Sequence, residues 1–220
     1  HCVTRRQRQM CIRDRLMSER EFTIPEGRLQ RASLKTDKYI SKFRQVLLRH
    51  GLTMTSIAIF CCSFTFISSA LVASLDSLFA YPSKYFFYSL IVIAMMVLSL
   101  KFTKREFNYR QLAWISYLLV ISIVEEIAFR LSVPLLITNI FGMNYFLWAI
   151  CISNAMFATI HYFTLRWKLR ACIFAFLGGM GFSRLFSVTD DLALVIVLHW
   201  AVTFLNTPSA PKVNQLIEKS

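Results

Sequence analysis

The apolar run IVEEIAFRL holds three ionisable side chains within six positions: Glu125, Glu126 and Arg130. Each charge near a bilayer centre costs roughly 2.5–3.5 kcal/mol on insertion scales. Such groups persist where they face a protein interior and meet a partner. Glu126 and Arg130 are four residues apart, so they share a helix face within ion-pair reach. Glu125 lies about 100° around the helix from Glu126; without a local partner, it can point into a cavity. Two histidines lie in other apolar runs. His161 shares a stripe with Phe157 and Asn154, and His199 shares one with Thr203 and Asn206. A carboxylate with an imidazole can activate water, and a second imidazole can donate to a developing oxyanion. The same residue types could hold a metal or pass protons, and an ion cluster that only ties helices together is the plainest alternative. Two histidines and a glutamate are a plausible zinc set, but there is no HExxH spacing, so no metal ligand is assigned.

These side chains need helices to position them, and charge-free runs locate the helices. Gly51–Leu75 has no Asp, Glu, Lys or Arg over 25 residues, more than the roughly 20 that cross a hydrocarbon core. A second span covers Tyr85–Leu100, completed by Tyr81–Lys84 with Lys84 snorkelling. The third runs from about Gln111 to Thr138 and contains the charged cluster. Asn139–Asn144 reads as a turn, Tyr145–Thr164 as a fourth span, Leu169–Phe186 as a fifth and Leu192–Asn206 as a short sixth. Gly178, Gly179 and Gly181 in the fifth span suit close helix packing. The expected fold is therefore all-α, a polytopic membrane bundle of about six helices. One conflict arises within it. Glu125 is fifteen residues past Arg110, about 22 Å of helix, whereas His161 is only five residues before Arg166. On these span edges the two sit at different depths.

Composition supports the class. The chain is 56% hydrophobic with mean hydropathy +0.51, which excludes disorder. Its net charge of +13 is unevenly placed: residues 1–50 hold 13 Lys/Arg against 5 Asp/Glu, a net of +8. Basic clusters at 1–50, 101–110, 166–170 and the tail all fall on one side of six crossings, with acidic or neutral loops on the other. The positive-inside rule then makes both termini cytoplasmic and turns the charge into a topology signal, with no nucleic-acid partner implied. Residues 1–16 read as a translated linker ahead of Met17, or else as a native basic tail. Residues 17–50 read as a cytoplasmic lead-in, 51–206 as the membrane domain and 207–220 as a cytoplasmic tail. The six cysteines form no CxxC pair and no metal-spaced cluster.

The ordered motifs carry a resemblance. EEIAFR (Glu125–Arg130) matches an EExxxR motif, FATIH (Phe157–His161) an FxxxH motif, and His199 the histidine of a third motif in the CPBP family of CAAX-protease and bacteriocin-processing membrane proteins. The resemblance covers about residues 110–206. It implies an intramembrane endopeptidase with no cofactor, acting on a peptide or membrane-protein substrate in the cell membrane, with a bacterial inner membrane expected. By position, Glu125 would be the general base, His161 would hold the water and His199 would stabilise the oxyanion, with Glu126 and Arg130 as a supporting pair. The family's third motif usually reads HxxxN or HxxxD; here its fourth residue is Thr203, and Asn206 on the same face is an imperfect substitute. That departure keeps open a catalytically silent member acting in bacteriocin self-immunity or membrane regulation. A proton-coupled transporter is the remaining alternative.

Overall fold

The computed structural model describes residues 22–23, 29–31, 39–211 and 217–218, with side chains for 29–31 and 39–211. Residues 1–16, most of the lead-in and most of the tail lie outside the described residues. Among the described residues seven helices form an all-α bundle. They are α1 (Phe43–Cys62), α2 (Thr65–Ala80, with a turn at Ser74–Leu75), α3 (Pro82–Phe102), α4 (Tyr109–Phe141), α5 (Met143–Thr164), α6 (Leu169–Thr189) and α7 (Leu192–Asn206). A two-residue antiparallel ladder joins β1 (Phe22–Thr23) to β2 (Ile217–Glu218).

Five helices, α1 and α3–α6, are long and apolar enough to cross a membrane, and α2 and α7 are shorter. The outer face of α3 exposes Phe86, Phe87, Ile91 and Leu98, an arrangement that suits lipid and not water. The single span expected over Gly51–Leu75 is two elements. α1 starts earlier, at Phe43, and ends at Cys62. Ser63 and Phe64 break the chain before α2, and Phe64 takes an extended conformation. Ser63 closes the helix end locally, its hydroxyl donating to the Phe60 carbonyl (2.7 Å). A run without charges therefore did not mean a run without a break: Ser63 satisfies the backbone through its own side chain.

α4 is the central element. Asn108 caps its start by accepting from the Gln111 N–H (3.0 Å), and Gly142 at φ +93° ends it. Its 33 residues span about 50 Å, well beyond a hydrocarbon core of ~30 Å. Glu125 and His161 meet 3.6 Å apart, so the depth conflict read from the span edges does not hold. Inside it, Ile127–Ser132 form a π-turn. Pro134 supplies no N–H for the Arg130 carbonyl four residues back, so regular α-bonding fails here. Side chains take up part of the slack: Ser132 Oγ donates to the Ile127 carbonyl (2.7 Å), and Ser153 Oγ on α5 donates to the Phe129 carbonyl (2.6 Å). The π-turn lies against α1, α2, α5 and α6. The charged cluster is thus at the middle of the bundle. α7 packs on α4 and α3, tied by the Trp200 indole N–H to the Ile115 carbonyl (3.1 Å). Its N-cap Asp191 accepts from the Leu194 N–H (2.9 Å) and from the Tyr85 hydroxyl of α3.

The three glycines of α6 are not equivalent. Gly178 and Gly181 face open space, whereas a Cβ on buried Gly179 would lie 2.1 Å from Asn154 Oδ1 and 3.2 Å from Arg130 Nη2. Asn154 cannot step aside freely, because its amide N–H groups bond to the Ile150 carbonyl (2.9 Å) and Ser183 Oγ (3.0 Å). Gly179→Ala is expected to destabilise the protein by about 1–3 kcal/mol through overpacking. Gly178→Ala and Gly181→Ala are expected to be neutral or stabilising by up to ~1 kcal/mol. Thermal melts of the three variants in one detergent check this ordering.

Candidate active site

Six buried side chains from four helices meet beside the π-turn: His50 of α1, Glu125, Glu126 and Arg130 of α4, His161 of α5 and His199 of α7. The Glu125 carboxylate is their hub. Its Oε1 lies 2.8 Å from His50 Nε2 and 3.6 Å from His161 Nε2, and its Oε2 lies 3.6 Å from His199 Nε2. The second carboxylate has two partners: Glu126 Oε2 is 3.3 Å from Arg130 Nε, and Oε1 is 2.6 Å from His199 Nδ1. Glu126 and Arg130 face each other on α4, whereas Glu125, expected to point into a cavity without a local partner, turns to three histidines from other helices. Glu126 also reaches His199, an inter-helix contact that spacing along α4 does not encode.

The hydrogen-bond network assigns the tautomers of two histidines. His161 Nδ1 lies 2.8 Å from the Phe157 carbonyl, which only accepts, so Nδ1 carries the hydrogen. In the neutral ring Nε2 is then a lone pair facing the carboxylate of Glu125. Two acceptors 3.6 Å apart suit a group that donates to both, and water is such a group. For His50, the Thr164 hydroxyl donates to the Ile160 carbonyl (2.7 Å) and so accepts from His50 Nδ1–H (2.9 Å). His50 Nε2 and Glu125 Oε1, 2.8 Å apart, therefore share a proton, because neither is otherwise a donor to the other.

Aromatic rings wall the cluster. Phe157 lies edge-on to His161 (4.4 Å between centroids), Phe182 is 5.2 Å from His199, and Trp167 is 4.6 Å from His161. The Arg130 guanidinium sits 4.7 Å over the Phe157 ring. A cavity of about 520 Å³ adjoins Arg130 on the far side, lined mainly by apolar side chains of α2, α4, α5 and α6, among them Ala70, Leu131, Pro134, Ile150 and Phe186.

The remaining expected residues are placed less centrally. Asn154 is buried, and its partners on α5 and α6 make it a packing group beside Arg130. Thr203 is half-buried one turn after His199, and Asn206 is exposed on the last residue of α7, away from the buried cluster. His50 is the residue that sequence reasoning missed, because the first span was counted from the residue after it. A signal was present: Val46, His50, Met54, Ala58 and Cys61 recur at helical spacing, and all five are buried on one stripe of α1.

His50, Glu125 and His161 offer one ligand atom each, and these three atoms lie within 4.8 Å of one another. Both imidazoles turn Nε2 inward while Nδ1 is bound to an oxygen, the outer-shell support that metal-binding histidines use. The three would fit a divalent transition cation.

In comparisons with known proteins, residues 108–205 match the family described as type II CAAX prenyl endopeptidase Rce1-like. The matched segment contains Glu125, Glu126, Arg130, His161 and His199 but not His50. No curated protein and no solved structure matches the chain.

Proposed function

Because residues 108–205 of this membrane bundle belong to the CAAX-protease family, we propose that the protein is an intramembrane endopeptidase in which Glu125 activates the hydrolytic water. The convergence of three histidine Nε2 atoms, from three other helices, on the Glu125 carboxylate supports this reading. A water between Glu125 and His161 gives a proton to the carboxylate as its oxygen attacks the peptide carbonyl carbon. His199, whose Nδ1 lies 2.6 Å from Glu126 Oε1, turns Nε2 toward Glu125 and donates to the oxyanion when protonated. Glu125 then returns the proton to the leaving amine as the C–N bond breaks. The apolar cavity beside Arg130 would accept a hydrophobic part of the substrate. Leader peptides, signalling peptides and fragments of membrane proteins are the substrate classes we favour.

Comparative peptidomics of cells expressing wild type or Glu125→Gln tests the reading. Peptides with new termini are expected in wild type and absent in the variant; identical peptidomes would sink it. The convergence of His50, Glu125 and His161 also favours a second reading, in which a divalent cation held there polarises water. Chelation separates the two. Loss of cleavage on dialysis against a chelator, restored by zinc alone, selects the cation; unchanged cleavage selects the carboxylate.

A further inference from the structure

Apart from the hydrolytic cluster, three arginines meet where α1 begins and α5 ends. Arg31 stacks its guanidinium carbon 4.1 Å from the Tyr162 ring centroid, and its Nη2 lies 3.5 Å from the Tyr162 carbonyl oxygen. Its backbone N–H donates to the Arg166 carbonyl (3.0 Å), and the neighbouring Gln30 bridges to Trp167. This pairing fixes Arg31 beside Arg166 in the connection between α5 and α6. Arg166 takes a left-handed conformation at φ +59°. Arg49 projects from the second turn of α1. The Nε atoms of Arg31 and Arg166 are buried and have no hydrogen-bond partner. No Asp or Glu among the described residues pairs with any of the three. Burial, together with the nearby Arg49 and Arg31 charges, holds the Arg166 guanidinium below its usual range. Three like charges on half-buried side chains are unfavourable unless an anion joins them.

The surroundings say what sort of anion. Leu47 and Leu48 precede Arg49, Phe163 follows Tyr162, and Leu169 opens α6, and all four are exposed. On a membrane-spanning bundle such side chains meet hydrocarbon. The arginine cluster therefore combines cationic forks with an adjoining apolar surface, which suits a ligand with an anionic head and hydrocarbon chains.

We propose that Arg31, Arg49 and Arg166 bind the headgroup phosphate of an anionic phospholipid whose acyl chains lie along Leu48, Phe163 and Leu169. Guanidinium groups match phosphate oxygens in paired hydrogen bonds, and basic pockets between helices at a membrane surface recognise anionic headgroups. This assignment does not depend on peptide hydrolysis, and its test reads lipid and not cleavage. The full chain is reconstituted with phosphatidylglycerol or phosphatidylcholine, and retained lipid is counted by native mass spectrometry after detergent extraction.

Wild type is expected to retain phosphatidylglycerol at least tenfold more strongly than phosphatidylcholine. At about fivefold per arginine, Arg166→Gln and Arg49→Gln are each expected to weaken that retention about fivefold, and the double variant about 25-fold. Lys101→Gln, a basic residue exposed at the end of α3, is expected to leave it unchanged. Circular dichroism confirms that each variant is folded, and if Arg166→Gln does not fold, Arg49→Gln carries the test alone. Equal retention of the two lipids by wild type overturns the proposal, as does retention that Arg49→Gln leaves intact. Displacement of the lipid by inorganic phosphate confirms a site for phosphate oxygens. Binding of an acidic peptide with no retained lipid overturns it in favour of a peptide site.

Discussion

Glu125→Gln is expected to lower kcat/KM for peptide cleavage by about 10³-fold, the usual range for loss of a general base, while the protein stays folded. The amide keeps the shape of the side chain, so the walls formed by Phe157 and His161 need not move. It cannot accept a proton from water. It also replaces the proton shared with His50 Nε2 by an amide N–H, which can donate to the same nitrogen. Removing one charge from a cluster of two carboxylates and one guanidinium leaves no new unpaired carboxylate, so no large loss of stability follows. The decisive pair of measurements is a melting curve and a progress curve on the same detergent preparation. Normal melting with full cleavage would show that Glu125 is not the base. Abnormal melting moves the test to Glu125→Asp, which keeps the carboxylate and withdraws it from the three imidazoles.

The second large effect is expected at His199. Loss of a single oxyanion donor typically costs 10²–10³ in rate, about 2.7–4 kcal/mol. His199→Gln is expected to fall in that range, in kcat more than in KM, because the interaction strengthens only as the carbonyl becomes an oxyanion. His199→Ala is the poorer test, since it strips Glu126 Oε1 of its 2.6 Å neighbour and leaves buried charge to Arg130 alone. Glu126→Gln separates the two roles. If His199 acts through the charge that Glu126 supports, Glu126→Gln lowers kcat as well, and the double variant is far less than additive. Because the glutamine amide can itself donate, an unchanged kcat in both His199→Gln and His199→Phe is what would assign the ring to packing between Phe157 and Phe182. Thr203 is open to the same assay. If it completes the oxyanion site in place of an asparagine, Thr203→Val lowers kcat.

Much of this was legible in the residue order. The all-α class followed from long apolar runs, and the Glu126–Arg130 pair from a separation of four, because positions four apart on a helix are neighbours whatever else the protein does. Span edges were less legible. Phe43–His50 was assigned to a polar lead-in because Arg44 and Arg49 interrupt it, yet both sit on the half-buried or exposed side of a helix whose other face is buried. The break at Ser63 was hidden in an uncharged run, since hydropathy does not register a serine bonding to its own backbone. The π-turn was likewise unread, although Pro134 was a local cue.

The sequence by itself determined the chemistry available: two carboxylates, an arginine and histidines placed in runs too apolar to carry charge without a use. It also determined which of them share a helix, since that depends only on a 3.6-residue period. The tertiary structure alone decided which helices meet. It brought His50 to Glu125 across 75 residues of chain, gave Glu126 a second partner in His199, and sent Asn206 to the surface. These outcomes depend on the packing of a 33-residue helix against its neighbours, the π-turn at Ile127–Ser132 and the close approach at Gly179. They are properties of packed surfaces, and no spacing within a single helix encodes them.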